Sequence, residues 1–151
     1  MFNKIALTAA LSATMILVGC NNSGTSPANN PQLEERSKLM KDWRQANEGM
    51  KAMMENPDTF DAATFKERAD FIADSNAAMW THFEGDAAKG GDAKDEVWTD
   101  AEGFRAKTEE FTASINALSA AAATATTAAD VEAQYGQMAS NCGSCHKAYK
   151  K

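Results

Sequence analysis

The sequence predicts an all-α fold, an antiparallel up-down four-helix bundle, on two observations. The chain of 151 residues is rich in Ala, Met, Glu and Lys and holds only three Pro, a composition that favours helices. Four stretches carry apolar residues at alternating steps of three and four, and polar or Gly-containing segments separate them. Four such amphipathic segments can bury one another's stripes and give one domain with a real core. The formal net charge of −6 argues against nucleic acid as a partner. An acidic surface would suit a basic redox partner and would equally serve solubility.

The first helix is predicted over residues 32 to about 56. Leu33, Met40, Trp43, Met50 and Met54 form its apolar stripe, and Arg36 and Asn47 fall on the same stripe. An Arg at such a position is costly without a counter-charge, unless it snorkels to water from near the helix end. Asn56-Pro57-Asp58 stops this helix. A second helix over about 61–83 presents Phe65, Ala69, Ile72, Met79 and Phe83, with Asn76 as a polar interruption. His82, near its end, reads as a surface or capping group ahead of a metal ligand.

Residues 84–99 hold Gly85, Gly90 and Gly91 among charges, so an exposed and mobile loop is expected, with Val97 and Trp98 pinning its end. The third helix starts near Asp100, an expected N-cap, and its stripe is Phe104, Phe111, Ile115, Leu118 and Ala122. The small, Thr-rich stretch 120–129 reads as a fraying end and a turn. The fourth helix runs from near Thr127 to the C-terminus. Its stripe, Val131, Tyr135, Met138, Cys142, Cys145 and Tyr149, continues into two cysteines. Lys147, Lys150 and Lys151 crowd its last turn, where cations suit the helix dipole.

Residues 1–19 read as a targeting segment rather than as part of the fold. Lys4 precedes an apolar run over 5–18 that is short for a membrane span. The run ends in Leu17-Val18-Gly19-Cys20, which resembles the lipobox of bacterial lipoproteins; the alternative is an ordinary signal peptide with a chance Cys. By that resemblance Cys20 is lipidated, and Asn21 after it favours the outer membrane. Residues 20–31 are polar, with Gly, Ser and Pro, and read as a flexible tether. The four-helix-bundle domain is then 32–151, expected to be periplasmic and held to the membrane only through its N-terminal lipid.

Cys142-Gly143-Ser144-Cys145-His146 reads CxxCH, the attachment signature of a c-type haem. Positions three apart share a helix face, so both thiols can meet one edge of a macrocycle and form thioethers, while His146 supplies an axial nitrogen. Three rivals stand beside this reading. A thioredoxin-like CxxC expects a strand-helix context, and no convincing strand is found in the sequence. A zinc site wants four ligands, and only Cys20 and His82 remain as candidates. Two buried structural cysteines beside a surface histidine is the third. With haem, the cysteine count closes: Cys20 takes lipid, and Cys142 and Cys145 take one haem c. The cysteines lie on the core stripe, so the macrocycle is expected inside the bundle, and a haem propionate would give Arg36 its counter-charge.

Three stretches together resemble the cytochrome c′ family over about residues 33–151. They are Arg36-Ser37-Lys38-Leu39-Met40-Lys41, Val97-Trp98-Thr99-Asp100-Ala101-Glu102-Gly103-Phe104, and Cys142-Gly143-Ser144-Cys145-His146-Lys147-Ala148-Tyr149-Lys150. The resemblance implies that Cys142 and Cys145 form the thioethers and that His146 is the proximal iron ligand. It implies that Arg36 pairs with a propionate, that Met40 overhangs the distal face, and that Tyr149 packs beside the haem. Lys150 stands where most relatives have Arg; it keeps the charge and loses the planar fork. The family divides on the distal ligand. With Met40 on the iron the protein is a six-coordinate electron carrier; with that position open it binds nitric oxide or carbon monoxide. Electron transfer is the expected function, gas binding the alternative. No enzymatic pattern of nucleophile and base or phosphate-binding loop is evident. The redox partner is unidentified, and relatives commonly form homodimers through the first two helices.

Overall fold

A computed structural model describes residues 30–151. The expected leader, Cys20 and all but the end of the tether lie outside the described residues. Helix α1 spans Pro31–Glu55, opened by the side chain of Asn30, which accepts the N–H groups of Gln32 and Leu33, with Pro31 at the first helical position. A 3₁₀ turn at Pro57–Thr59 follows the predicted break. Helix α2 is Ala62–Thr81, and Asp61 caps it by accepting from Thr64 N–H. A one-turn helix α3, Glu96–Thr99, precedes α4, Ala101–Ala122. Helix α5, Glu132–Tyr149, is entered through a 3₁₀ turn at Ala128–Asp130. Among the described residues there is no strand; Ala93 and Lys150 form an isolated bridge.

The four long helices make the expected bundle. Helix α1 packs on α2, α2 on α4 and α4 on α5, while α1 and α5 scarcely meet. The ring of helices is therefore open on one side. Its core is Met50, Phe65, Ile72, Met79, Ile115, Leu118, Val131 and Met138, all fully buried. Leu118→Ala is expected to cost about 2–5 kcal/mol through lost burial and the cavity left behind, read as a lower urea midpoint at unchanged slope.

The polar interruption on α2 has a partner on each side. Asn76 is 4% exposed; it donates to Thr112 Oγ1 (2.7 Å) and accepts from Trp80 Nε1 (2.9 Å). Both functions of its amide are thus used, as a buried amide requires. Trp43 Nε1 similarly donates to Ser75 Oγ (2.8 Å). The indoles of Trp43 and Trp80 then stack edge to face at 5.8 Å.

Two expectations need correction. The segment 84–99 is not wholly exposed: Ala88, Ala93 and Val97 are buried, and Trp98 Nε1 donates to Phe83 O (2.9 Å). Gly85, Gly90 and Gly91 take positive φ, and these left-handed turns fold the segment back onto the bundle. The last helix also starts later than Thr127. Asp130 Oδ2 accepts from the backbone N–H groups and the hydroxyls of both Thr126 and Thr127, which makes a turn before α5.

Those four bonds favour the charged carboxylate and hold the Asp130 pKa at about 2. A carboxyl depressed in the folded state stabilises above its unfolded value, near 3.8, and that contribution fades as pH falls through the folded value. Asp130→Ala should therefore lower Tm at neutral pH, and the gap from the parent should close toward about pH 2.

Candidate functional site

The opening between α1 and α5 is a cavity of about 740 Å³, within the range of cofactor pockets. Helix α5 contributes Met138, Cys142, Cys145, His146 and Tyr149 to its lining; α1 contributes Leu33, Arg36, Met40, Trp43 and Asn47. Ile72, Trp80, Phe83, Phe104 and Phe111 make an apolar floor, and Gly91, Asp92 and Ala93 make part of the rim. Every residue assigned to the site from sequence, including Lys150, lines this one cavity, apart from Cys20. His82 does not. It caps α2, taking its N–H to Met79 O and Trp80 O.

Cys142 and Cys145 are free thiols, half-buried three residues apart on the seam. Burial, assisted by the neighbouring Cys145, pushes the Cys142 thiol up to about 11. Burial raises the Cys145 thiol too, against an opposing pull from Lys107. A thioredoxin-type nucleophile needs the opposite shift and a helix N-terminus, whereas these thiols sit in the second half of α5. Among the described residues no group of three or more His, Cys, Asp or Glu is arranged to hold a metal ion. His146 is exposed to the cavity mouth; partial burial, followed by the charge of Lys150, lowers its pKa and favours the neutral imidazole, the form that binds a metal.

Tyr149 closes the end of the cavity. Its hydroxyl donates to Asp100 Oδ2 (2.8 Å), and its ring meets Phe104 edge to face at 5.2 Å. Burial and the bond to Asp100 push its pKa up to about 12, so the hydroxyl stays a donor. Asp100 also caps α4 by accepting Gly103 N–H (3.3 Å). One carboxylate thus ties the start of α4 to the end of α5. Sequence reasoning found the cap and missed the tie, because the residues stand 49 positions apart.

Arg36 is 6% exposed, on the predicted stripe, and does not snorkel. Its guanidinium donates to Ala88 O (2.8 Å), Gly90 O (2.7 Å) and His82 O (3.4 Å), and lies 4.6 Å from the centre of the Phe83 ring. Desolvation lowers its pKa, partly offset by the charge of Asp92. Backbone carbonyls of the following loop were not foreseen as partners.

The family described as Cytochrome C′ matches residues 31–150. The chain belongs to the cytochrome c′ family. A cytochrome c′ of Alcaligenes xylosoxydans xylosoxydans is 37% identical over 95 residues, 61% of this chain and 71% of the relative. That of Rhodopseudomonas palustris is 28% identical over 147 residues, 95% of this chain and 96% of its own. Among solved structures, cytochrome c′ from Rubrivivax gelatinosus gives a TM-score of 0.75 at 27% identity, covering 84% of this chain and 98% of its own. A leucine-to-isoleucine mutant of cytochrome c prime from Alcaligenes xylosoxidans, solved as a nitric oxide complex, gives 0.74 at 28% identity, with the same coverages.

Membership of the cytochrome c′ family makes this a c-type haem protein, and the cavity fits that group on its own evidence. It is a seam left open between two helices that would otherwise pack, it is floored by aromatic rings, and two unpaired thiols and an imidazole stand on one side of it. The four-helix bundle is the architecture of cytochrome c′ generally.

Proposed function

We propose that this cytochrome c′ is a periplasmic electron carrier holding one haem covalently through Cys142 and Cys145, with His146 as proximal ligand and Met40 as the distal one. The observation that carries the reading is the placement of α5's CxxCH and α1's Met40 on one cavity. The bound haem would supply one-electron chemistry. The protein's part is placement and dielectric. Trp43, Trp80, Phe83, Phe104 and Phe111 exclude water, so the extra positive charge of the oxidised iron is disfavoured and the potential raised. Arg36 and Lys150 line the cavity and would offer cationic partners to the haem carboxylates; the Arg36 fork has five donors and uses three on carbonyls.

The reading is of a carrier rather than an enzyme. No helix among the described residues is long and apolar enough to cross a membrane, and we assign membrane attachment to lipid on Cys20. A homodimer through α1 and α2 is supported by Phe71 on α2, a large apolar side chain left 40% exposed; sedimentation as a monomer at micromolar concentration would contradict it. An optical redox titration should give a single reversible one-electron wave. A spectrum that does not change between mild oxidant and reductant would overturn the carrier reading.

Gas binding is the second reading, favoured by the nitric oxide complex of the related Alcaligenes xylosoxidans protein. It requires Met40 to pack on the macrocycle without reaching the iron, a role its flexible thioether also fits.

A further inference from the structure

The segment between α2 and α4 crosses the end of the open seam and is fastened on both sides of it. From α1, Asn30 Nδ2 donates to Ala87 O (2.6 Å), Gln32 Nε2 donates to Thr81 O (3.2 Å) and Glu84 O (3.0 Å), and Arg36 holds the carbonyls of His82, Ala88 and Gly90. From the end of α5, Lys94 N–H donates to Tyr149 O (2.9 Å) and Lys151 N–H to Asp92 O (2.9 Å), around the Ala93–Lys150 bridge. Lys94 Nζ adds bonds to Lys147 O (3.0 Å) and Ala148 O (3.2 Å), orphan carbonyls of the last turn of α5. These are the residues directly after His146.

We propose that residues 82–94 are a strap that sets the separation of α1 from α5, and that Arg36 is its positioning residue. The two helices scarcely touch, and among the described residues the hydrogen bonds that join the α1 side of the cavity to the α5 side at this end run through this segment. A neutral amide such as Gln could satisfy at most two carbonyls. The guanidinium, with five donors in a rigid plane, gathers three carbonyls, that of His82 at the end of α2 and those of Ala88 and Gly90 beside the left-handed turns at Gly90 and Gly91. Gly91 is close enough that a Cβ there would stand 3.2 Å from Arg36 Nη2. The strap thereby couples a residue on the Met40 helix to the backbone that follows the CxxCH motif. In its ligand-binding consequence this inference rests on the haem reading above.

The test is amide hydrogen exchange on the haem-loaded protein, with carbon monoxide binding to the reduced form as second readout. Arg36→Gln should speed exchange at Lys94 and Lys151, on the α5 side, by about tenfold or more, and should change the carbon monoxide association rate at least about fivefold, because the Met40 helix is released. Gly91→Ala, which keeps the Arg36 side chain but crowds its Nη2 and strains the turn, should move both readouts in the same direction. Faster exchange confined to 82–91, with Lys94 and Lys151 still protected in both variants, would overturn the strap. Chain recovered from a host competent in c-type assembly without covalent haem would overturn the proposed function instead, and exchange at Lys94 and Lys151 would still decide the strap.

Discussion

Cys142→Ala with Cys145→Ala is expected to abolish the haem-stained band of the denatured protein completely, while the bundle still forms. The stain reports only haem that survives unfolding, so it counts covalent attachment. Each single variant keeps one thiol and should retain a reduced band. The bundle should survive because much of the core lies elsewhere: Phe65, Ile115, Leu118 and Val131 are fully buried away from the seam, and the thiols are only half-buried. Trimming one sulfur removes about one buried methylene-sized group, on the order of 1 kcal/mol, small against a typical stability of about 5–15 kcal/mol. Helical circular dichroism retained alongside the lost band is the expected pair of results. An undiminished band in the double variant would exclude this motif as the attachment site.

Gly103→Ala should be the most damaging single methyl in the site. A Cβ there would stand 2.7 Å from both Asp100 Oδ1 and the Tyr149 hydroxyl, nearer than real Cβ contacts permit. Helix propensity pulls the other way, since Ala is better than Gly by about 1 kcal/mol. Against that stand the α4 cap, worth about 0.5–2 kcal/mol, and the Tyr149–Asp100 bond, about 1–3 kcal/mol when a charged group is involved. A net loss of about 1–3 kcal/mol is expected. Tyr149 also lines the cavity, so the haem environment should shift with stability. Tyr149→Phe should reproduce the loss of the bond without the clash. A Gly103→Ala protein as stable as the parent would show that Asp100 relaxes freely and does not tie α4 to α5.

Much of this was legible in sequence because it is local. Helical periodicity placed the four stripes, and Asp100 and the Asn56-Pro57 break follow from capping and turn chemistry. Met54 was expected on the α1 stripe, and the structure buries Met53 instead while Met54 stays half-buried; a helix of 3.6 residues per turn leaves such neighbours nearly equivalent. The haem motif and Arg36 were found from spacing, since a charge on an apolar stripe demands an explanation. What Arg36 touches was not legible. Its partners are backbone carbonyls about 50 positions away, and carbonyls carry no residue code. The loop 84–99 misled for a related reason: Gly and charge signal exposure, yet the burial of Ala88 and Ala93 is decided by the fastenings to α1 and α5.

Carbon monoxide addition to the reduced protein, followed optically in the parent and in Met40→Ala, tests the carrier assignment most directly. The account predicts sharp low-spin bands in the parent, slow or absent binding, and rapid binding once Met40 is removed. Rapid binding to the parent at the same rate as to Met40→Ala would contradict it, and would make the site an open gas-binding haem.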